Sequence, residues 1–580
     1  MCGIAGILGI SPELARPIAV RMQQALLHRG PDDQGVAVIR DGAASDNPVT
    51  LVHTRLAIVE LSSLGHQPMT DKPENGPPNY LTFNGEIYNF RTLAAELEVH
   101  RLPWRSRSDS EVILNAYRAW GEQSVDRFEG MFAWGLVDTS RAAVWLCRDR
   151  LGIKPLYIFE PAQGGLLFAS EVRALLAAHE FVERRLDRTA LESYLAQGAV
   201  VGEQSIVQGI RLLPAGESLL VGLDGKRLRS RRYWNVSFGT PRGAEVEGNE
   251  QPLPPVTVNP TRAALVSNLN LALRHSISQM LFADRPVGLL LSSGVDSSAI
   301  ATIASEVSAT RLRSICVGFD VPEFDETVGA QRVAAALGLE HSTVRLDASS
   351  VLEGLEAVIA AVDQPTVDGF NTYYASRAVR DAGVTVALSG IGGDELFGGY
   401  ASFKQIPLAM RLADVARLTH ARAPLADVLE LVASSALPWG GGRALLKTSK
   451  LLSRTMDLTG CYFLRRELFL SEERRMLQRL PEGADDIAGI PSACLRELRS
   501  SHADRAPLDR IAFLETSAYM RHMLLRDSDV FSMAQPVELR LPLLEHSVVE
   551  QAARARADWR RPDPRPKPLL VDAAGPRLPS

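Results

Sequence analysis

The chain has 580 residues, of which 46% are hydrophobic and 23% are charged, and its net charge is −5 at pH 7. This length exceeds what one hydrophobic core normally supports, so we expect two or three domains. The slightly acidic balance gives no indication of nucleic-acid binding. An Arg-rich stretch, RLRSRR at 227–232, is short and is better explained as solvated surface than as a binding site.

The cysteines and apolar runs bear on the location of the protein. Five cysteines are scattered and form no CxxC pair: Cys2, Cys147, Cys316, Cys461 and Cys494. An odd number without metal-ligand spacing argues against a disulfide framework and a zinc site, and it is typical of a reducing cytoplasm. The N-terminus is a poor signal peptide, and no apolar run reaches the roughly 18 residues that cross a membrane. We therefore expect a soluble cytoplasmic protein without a membrane partner.

Residues 1–220 alternate short apolar runs with turns, a pattern typical of strands covered by a few helices. The predicted strands are LTF (81–83), MFAWGLVD (131–138), AVWLCRD (143–149), PLYIF (155–159) and LLFAS (166–170). Helices are predicted at 17–27 and 109–120, which together with the strands give an α+β domain over 2–220. Residues 221–262, rich in Pro, Gly and Glu from 236 onward, predict a linker.

The sequence pattern changes from residue 263 onward. Helices are predicted at 263–280, 299–307 and 327–337, and strands at 287–291, 312–319, 343–346 and 384–388. This alternation predicts a mostly parallel, doubly wound α/β sheet. Residues 402–560 are rich in Ala, Leu and Arg and predict a mainly helical part of the same domain, which we expect to span 263–580.

The first candidate for chemistry is the start of the chain, Met1-Cys2-Gly3. Removal of Met1, which the small second residue permits, would leave a thiol and an α-amine on one residue. The α-amine has a pKa of roughly 7.7–8.0 and can act as the base for its own side chain. The alternative is a buried strand that contains a cysteine by chance, and this segment alone does not separate the two.

Several polar residues of the first domain suit a site for a free amino acid. Thiolate attack on a carboxamide creates an oxyanion, which the Asn84 amide and the Gly85 backbone N–H can stabilise. Arg55 can hold the α-carboxylate, while Glu86 and Asp109 can hold the α-ammonium. Each also suits a structural role when taken alone, since Asn-Gly is a common turn and Asp109 can cap a helix. Together they favour a site.

Two loops of small residues follow apolar strands of the second domain. The first, SSGVDSS at 292–298, can present backbone N–H groups to an anion, with Asp296 placed to hold Mg²⁺ beside phosphates. It lacks the GxxxxGK[ST] pattern of a Walker A loop, and a ligand-free Ser/Gly turn is the alternative. The second, SGIGGDELFGGY at 389–400, offers Asp394 and Glu395 as carboxylates for a hard cation. Both loops are expected at one edge of the sheet.

The first domain resembles a known family through MCGIAGI, HRGPD, TRLAIVE, FNGEIYN, SDSEV, GMFAW and RDRLGIKPLY, which cover most of residues 2–175. These segments resemble the glutaminase domain of class II glutamine amidotransferases, an N-terminal-nucleophile fold. The resemblance implies that Cys2 is the nucleophile. It also implies an oxyanion hole at Asn84 and Gly85, and a glutamine site at Arg55, Glu86 and Asp109. The products would be glutamate and ammonia.

The second domain resembles the synthetase domain of asparagine synthetases through SSGVDSS, SICVGF (314–319), LSGIGGDELFGGY (388–400) and SDVFSMAQPVELRLPLLEH (528–546). These enzymes cleave ATP to AMP and pyrophosphate, adenylate a side-chain carboxylate and trap the acyl-adenylate with ammonia. A closed ammonia path would protect that intermediate from water. The resemblance implies ATP and Mg²⁺ as cofactors, small-molecule substrates as partners, and a homodimer as one arrangement common in the family.

The same resemblance implies an ATP site. Its expected residues are Leu291, Val317, Ser389 and Gly390 at the nucleotide, Ser292 and Ser297 at pyrophosphate with Gly294 and Ser298 in the same loop, and Asp296 and Asp394 at the metal.

Three features depart from the family pattern. Ser293 replaces a usual glycine, a mild change if its φ is negative. Ile391 stands where the family carries a Glu linked to adenylate formation or ammonia attack, and an Ile cannot do acid–base work. The Thr-Thr-x-Arg run that grips aspartate is absent, since the region reads DQPTVDGFN at 363–371. These differences leave ATP and glutamine use intact but weaken the case for aspartate as the acceptor.

The end of the chain also departs from the family, which usually continues further. Lys567 corresponds to a family Lys that faces the nucleotide, but prolines flank it. Residues 560–580 hold six prolines and predict a poor helix, and truncation, a frameshift and natural shortening are all compatible with this end. Three functions therefore stay open: asparagine synthesis from aspartate, the same chemistry on another carboxylic acid, and a glutaminase-only or degenerate protein.

Overall fold

The computed structural model describes residues 2–40, 48–71, 76–239, 261–418, 426–429, 432, 441–453, 456–478, 489–561 and 565–579. Among these residues no helix has the length and apolar character needed to cross a bilayer. All five cysteines are free thiols.

Two six-stranded antiparallel sheets form the first domain, with strand orders β10-β8-β9-β1-β3-β2 and β12-β11-β7-β6-β5-β4. Their strands are β1 (Cys2–Leu8), β2 (Asp33–Ile39), β3 (Val49–Arg55), β4 (Met69–Thr70), β5 (Asn79–Ile87), β6 (Gly130–Asp138), β7 (Ala143–Arg148), β8 (Tyr157–Phe159), β9 (Leu166–Ala169), β10 (Ile210–Leu212), β11 (Glu217–Gly222) and β12 (Arg227–Arg232). Each predicted strand of this domain is confirmed.

The two sheets pack face to face, and helices cover their outer faces. Side chains such as Ile4 and Leu51 from one sheet meet Val144 and Leu146 from the other in one buried cluster. The helices are α1 (Pro12–Leu26), α2 (Phe90–Leu97), α3 (Asp109–Trp120), α4 (Val172–Leu176) and α5 (Arg188–Gln197). α1 and α4 cover the first sheet and α2 and α3 cover the second, which makes four layers and confirms the α+β prediction.

The second domain is built on a five-stranded parallel sheet of order β15-β14-β13-β16-β17. Its strands are β13 (Val287–Leu290), β14 (Arg313–Phe319), β15 (Glu340–Leu346), β16 (Val386–Leu388) and β17 (Glu538–Arg540). The helices among them are α6 (Arg262–Met280), α7 (Val295–Val307), α8 (Thr327–Leu337), α9 (Ala348–Ala361), α10 (Phe370–Asp381) and α11 (Gly393–Phe397). The strand order reverses between β13 and β16, and α/β sheets place ligands beyond such a reversal.

A largely helical part completes the second domain, as predicted. It contains α12 (Ser402–Leu418), α13 (Gly441–Ser453), α14 (Leu458–Arg466), α15 (Ser471–Gln478), α16 (Ser492–Ser500), α17 (Pro507–Leu514), a π-helical segment (Glu515–Leu524), α18 (Leu525–Met533), α19 (His546–Ala553) and α20 (Pro568–Ala574). The 3₁₀ turns of the described chain are Leu27–Arg29, Ser63–Gly65, Glu98–His100, Gly121–Arg127, Pro322–Phe324, Pro542–Leu544 and Ala557–Arg560.

Some predicted boundaries are wrong. The linker expected over 221–262 starts too early, because β11 and β12 continue the first domain's sheet to Arg232; residues 240–260 lie outside the described part of the chain. The expectation that residues 560–580 form a poor helix is also wrong, because α20 forms at Pro568–Ala574. Pro568 occupies the first turn of α20, where a missing N–H removes no helical hydrogen bond, and Leu569 and Leu570 are buried.

Two predicted helices start earlier than expected. α1 begins at Pro12 and contains Pro17, although the sequence predicts Pro17 as its first residue. α7 begins at Val295 rather than at 299, so Asp296 lies in its first turn. The Arg-rich stretch 227–232 is the mostly exposed strand β12, where arginines pair with surface acids such as Glu160 and Glu122, in agreement with the surface interpretation.

Candidate active sites in the two domains

Cys2 lies at the start of β1, in the interior of its sheet, and is 7% exposed. Its backbone nitrogen donates to Oδ1 of Asn84, 2.9 Å away on the facing sheet. The Asn84 Nδ2 is buried and has no hydrogen-bond partner among the described residues. This amide is therefore free to donate to an oxyanion that forms beside the Cys2 thiol.

Gly85 follows Asn84 in β5 with a φ of 149°, and a Cβ at this position would lie 2.1 Å from the Met131 carbonyl oxygen. Only glycine fits this backbone, and Gly85 lines the cavity that Cys2 borders. Burial raises the pKa of the Cys2 thiol, while the positive charges of the chain's N-terminus and of Arg55 oppose that rise. The thiol thus needs a base to become a nucleophile at neutral pH.

Two acids face the same cavity. Asp109 begins α3, capped by the Ser108 hydroxyl, and its carboxylate accepts the Ile87 N–H at 3.0 Å. Burial raises the pKa of Asp109 to about 6. Burial and the adjacent Asp109 raise the pKa of Glu86 well above its usual range, although Arg540 lies 3.5 Å from it. Asp109 therefore ionises first and is the anion available to an ammonium group near neutral pH.

Arg55 pairs with Cys2 in the β1–β3 register and borders the same cavity. Its guanidinium donates to the Ser62 carbonyl at 3.1 Å and to the Glu60 carbonyl. The cavity has a volume of about 30 Å³. The carbonyls of the loop 59–65 thus hold the Arg55 guanidinium beside this cavity, and an α-carboxylate would compete with them for its N–H groups.

An unpredicted ion cluster connects Cys2 to the second domain. Arg29, fully buried, donates from Nε to the Cys2 carbonyl oxygen at 3.0 Å and from Nη1 to Glu171 at 2.7 Å. Its Nη2 reaches Asp529 of α18 at 2.7 Å, and the same carboxylate accepts Lys154 at 3.0 Å. One buried acid of the second domain thus holds two buried cations of the first. The sequence shows Arg29 only as part of HRGPD and gives no sign of its distant partner.

A second and larger cavity, of about 560 Å³, opens where β13 and β16 end. Its lining includes nine predicted site residues and Ile391: Leu291, Ser292, Gly294, Asp296, Ser297, Val317, Ser389, Gly390 and Asp394. The Ser292 and Ser297 hydroxyls lie 2.9 Å apart at the first turn of α7. Ser298 does not border the cavity and is buried within α7, so its contact with pyrophosphate stays a prediction.

The two acids expected at the metal come together at Lys567. Its ammonium contacts Asp296 and lies 2.7 Å from Asp394. Burial raises the pKa of Asp296 to about 6 although Lys567 opposes this, and Oδ1 of Asp296 has no partner among the described residues. A Cβ at residue 393 would lie 2.2 Å from Cγ of Asp296, so Gly393 is needed for this close approach. Two carboxylates across one cation fit the oxygen ligands that Mg²⁺ takes.

Comparisons with known proteins agree with this pair of sites. Residues 1–234 match the glutamine amidotransferase domain family, and residues 268–580, more than half of the chain, match the asparagine synthase family. The chain belongs to the asparagine synthase family.

Curated relatives cover most of the chain. A relative from Mycobacterium tuberculosis is 31% identical over 571 residues, which is 96% of this chain and 82% of the relative. A glutamine-hydrolysing asparagine synthetase of Bacillus subtilis is 28% identical over 584 residues, 99% of this chain and 84% of the relative. Asparagine synthetase B of Escherichia coli is 32% identical over 435 residues, 71% of this chain and 67% of the relative.

The departures from the asparagine synthase pattern lie at defined places in the structure. Ser293 does not adopt a positive φ, and it packs against Gly329 of α8. The replacement of the usual glycine by Ser293 is therefore a mild change. Ile391 borders the large cavity with a side chain that cannot transfer protons. In the segment 363–371, Asp363 accepts the Val172 N–H of the first domain at 2.8 Å, and only Asn371 borders the large cavity. This segment serves mainly as an interdomain contact.

A single apolar cluster extends between the two sites of this asparagine synthase family member. It includes Leu56 and Ile58, which border the Cys2 cavity, and Leu291 and Leu539, which border the large cavity. Ions are poorly solvated in such an interior, so the region between the two cavities favours neutral over charged species.

Proposed function

We propose that this chain hydrolyses glutamine at Cys2 and uses the ammonia to convert aspartate into asparagine at the expense of ATP. The family match and the names of the relatives from Bacillus subtilis and Escherichia coli support this chemistry. One geometric observation carries the ATP half: Asp296 and Asp394 meet at Lys567 directly beside the Ser292 and Ser297 hydroxyls.

The glutaminase half begins with removal of Met1. The Cys2 nitrogen, already held by Asn84 Oδ1, would become an α-amine and take the thiol proton. The thiolate attacks the side-chain carbonyl carbon of glutamine, and the oxyanion accepts hydrogen bonds from Asn84 Nδ2 and the Gly85 N–H. The C–N bond then breaks, ammonia leaves with the proton, and water hydrolyses the thioester to glutamate. In the substrate complex, Asp109 pairs with the α-ammonium and Arg55 with the α-carboxylate.

The synthetase half uses the large cavity. The Ser292 and Ser297 hydroxyls and the first N–H groups of α7 would hold the β- and γ-phosphates, and Leu291 and Val317 would border the nucleotide. Asp296 and Asp394 would hold Mg²⁺, which neutralises phosphate charge when it is bound. A carboxylate oxygen of the acceptor attacks the α-phosphorus and pyrophosphate leaves. Ammonia then attacks the acyl carbon, the acyl–phosphate bond breaks, and AMP leaves.

A second candidate is the same chemistry on another carboxylic acid, and Ile391 favours it. This residue brings an apolar surface to the cavity wall where the family carries a Glu. An acceptor with an apolar body would gain from that surface, whereas aspartate has little apolar area to bury against it.

Pyrophosphate release tests both candidates. Purified protein receives ATP, Mg²⁺ and glutamine with aspartate, with other carboxylic acids in its place, or without any acceptor, and asparagine and AMP are measured in the same samples. Aspartate-dependent release with asparagine formed supports the first candidate. Pyrophosphate release that needs another carboxylic acid supports the second candidate. Formation of glutamate without pyrophosphate, whichever acid is present, contradicts an active synthetase site.

The proposal includes a cytoplasmic location and association into a homodimer. The five free thiols are the support for a reducing compartment. Sedimentation velocity over a range of protein concentrations tests the dimer, which a single species at the mass of one chain would contradict.

A further inference from the structure

A third cavity, of about 290 Å³, lies between the domains and shares no lining residue with the two sites described above. Arg148 and Gln204 of the first domain form part of its lining. Ser517 and Arg521, four residues apart on the π-helical segment, line it from the second domain. π-helical turns occur often at functional positions, because they cost stability that an ordinary helix would keep.

Four arginines line the cavity, and two of them, Arg148 and Arg521, form no ion pair with a described residue, whereas Arg211 and Arg232 are paired with acids. Arg148 is buried and donates to the carbonyls of Lys154, Gly152 and Leu213 at 2.7–2.8 Å, and it forms no ion pair in the described ranges. Three of its five N–H groups are thereby used. Arg521 has neither an ion pair nor a hydrogen bond to any described residue, and its Nε is buried. Burial and the Arg148 charge lower the pKa of Arg521 to about 10.

Ser517 and His522 add further donors to the cavity. Ser517 is 4% exposed, and its hydroxyl has no hydrogen-bond partner within the part of the chain that is described. His522 lines the same cavity, and burial lowers its pKa well below the usual range, so its neutral ring keeps one N–H to donate. Two acids also line the cavity: Glu203 is exposed, and Glu497 is 53% exposed and pairs with Arg232 at 2.9 Å.

We propose that this cavity binds a small oxyanion, a carboxylate or a phosphate group, between Arg148 and Arg521 with Ser517 as a further donor. A buried cation without a counter-charge is strongly unfavourable, and charge-assisted hydrogen bonds to an anion remove that penalty. The volume is at the small end of ligand pockets. The ligand would touch both domains, and the π-helical segment ends at Leu524, which borders the large cavity. Binding would therefore favour the docked arrangement of the domains. This inference does not depend on the acceptor.

The test measures thermal unfolding and heat of binding in a phosphate-free buffer, with inorganic phosphate and malonate titrated as separate probes. We expect a saturable rise of Tm with at least one probe, and the more effective probe identifies the anion class. Arg521→Met and Ser517→Ala should each weaken the apparent affinity for that probe, read from the Tm titration, at least tenfold. Arg229→Met, the same change at an exposed arginine that pairs with Glu122, should respond like the wild type.

Two further readouts distinguish anion binding in this cavity from anion binding at the pyrophosphate loop and from a purely structural role of Arg521. Ser297→Ala alters the loop expected to hold pyrophosphate, and it should keep the response. Without anion, Arg521→Met should unfold at the wild-type Tm or above, because it removes an unpaired, partly buried charge. The proposal is overturned if neither probe gives a saturable shift, if Arg521→Met responds like the wild type, if Ser297→Ala abolishes the response, or if Arg521→Met lowers Tm without anion.

Discussion

Asp529 joins the synthetase domain to the residue that holds the Cys2 carbonyl, and Asp529→Asn tests that connection. The carboxylate lies 2.7 Å from Nη2 of Arg29 and 3.0 Å from Nζ of Lys154, with at most 1% of any of the three side chains exposed. The Asn amide keeps the shape of the side chain but removes its charge. Both cations would then stay buried between the domains without the charge of their shared acid.

Removal of one partner from a buried ion pair costs about 3–5 kcal/mol. Arg29 keeps Glu171 at 2.7 Å, so we expect the lower end, about 3 kcal/mol. Because the broken pairs cross the domain boundary, the loss falls on docking of the domains. About 3 kcal/mol corresponds to roughly a hundredfold shift of the docking equilibrium. Domains that dock poorly release ammonia to solvent.

The assay is the ratio of glutamate formed to pyrophosphate formed under saturating ATP, glutamine and acceptor. We expect a ratio near one for the wild type and a severalfold higher ratio for Asp529→Asn, while ammonia-dependent pyrophosphate release stays close to wild type. Asp509→Asn is the matched control, since Asp509 is a buried acid that pairs with Arg560 inside the second domain. An unchanged ratio in Asp529→Asn, or an equal rise in Asp509→Asn, would refute the coupling role.

The remaining predictions concern the two reaction sites. Because the Asp109 carboxylate must be ionised to hold an ammonium group, its protonation below about pH 6 should make the fall of kcat/KM for glutamine about tenfold per pH unit steeper than protonation of the Cys2 amine alone, and Asp109→Asn should lose this added steepness; equal slopes in the wild type and Asp109→Asn would be evidence against the role. Cys2→Ala should lose glutamine-dependent synthesis and keep ammonia-dependent synthesis, and loss of both would contradict two separate sites. Asp296→Asn should lose pyrophosphate formation and keep glutamine hydrolysis, and retained pyrophosphate formation would exclude it as a metal ligand. Arg55→Ala should raise the KM for glutamine by an amount equivalent to about 1.5–3 kcal/mol, and an unchanged KM would make Arg55 purely structural.

Local patterns were sufficient to predict most of the fold. The apolar runs at 131–138 and 143–149 correspond to β6 and β7, and the alternation after residue 263 gives the parallel sheet. Boundaries were wrong at prolines. Pro568 lies in the first turn of α20, where the missing N–H removes no helical hydrogen bond. Pro17 lies in the interior of α1, where proline is unfavourable, and the packing of the buried face of this helix outweighs that cost. The strand β17 is too short for a periodic signal.

The candidate site was predictable only where its residues sit in local motifs. Asn84, Gly85 and Asp296 lie in such motifs, and the structure places them around the two cavities. Arg29 and Asp529 are 500 positions apart, and only the folded domains bring them together. The contact of Lys567 with Asp394 likewise forms only because the end of the chain folds back onto the segment 389–400, which follows β16. No local pattern encodes such pairs.

The most direct measurement of the proposed two-site reaction uses glutamine labelled with ¹⁵N in its amide, in the presence of excess unlabelled ammonium. The amide nitrogen of the asparagine formed is read by mass spectrometry. Transfer through the apolar interior between Cys2 and the large cavity predicts that most of the product carries the label. A label diluted to the level of the bulk ammonium would show that ammonia leaves the protein before it reacts, which contradicts a coupled pair of sites.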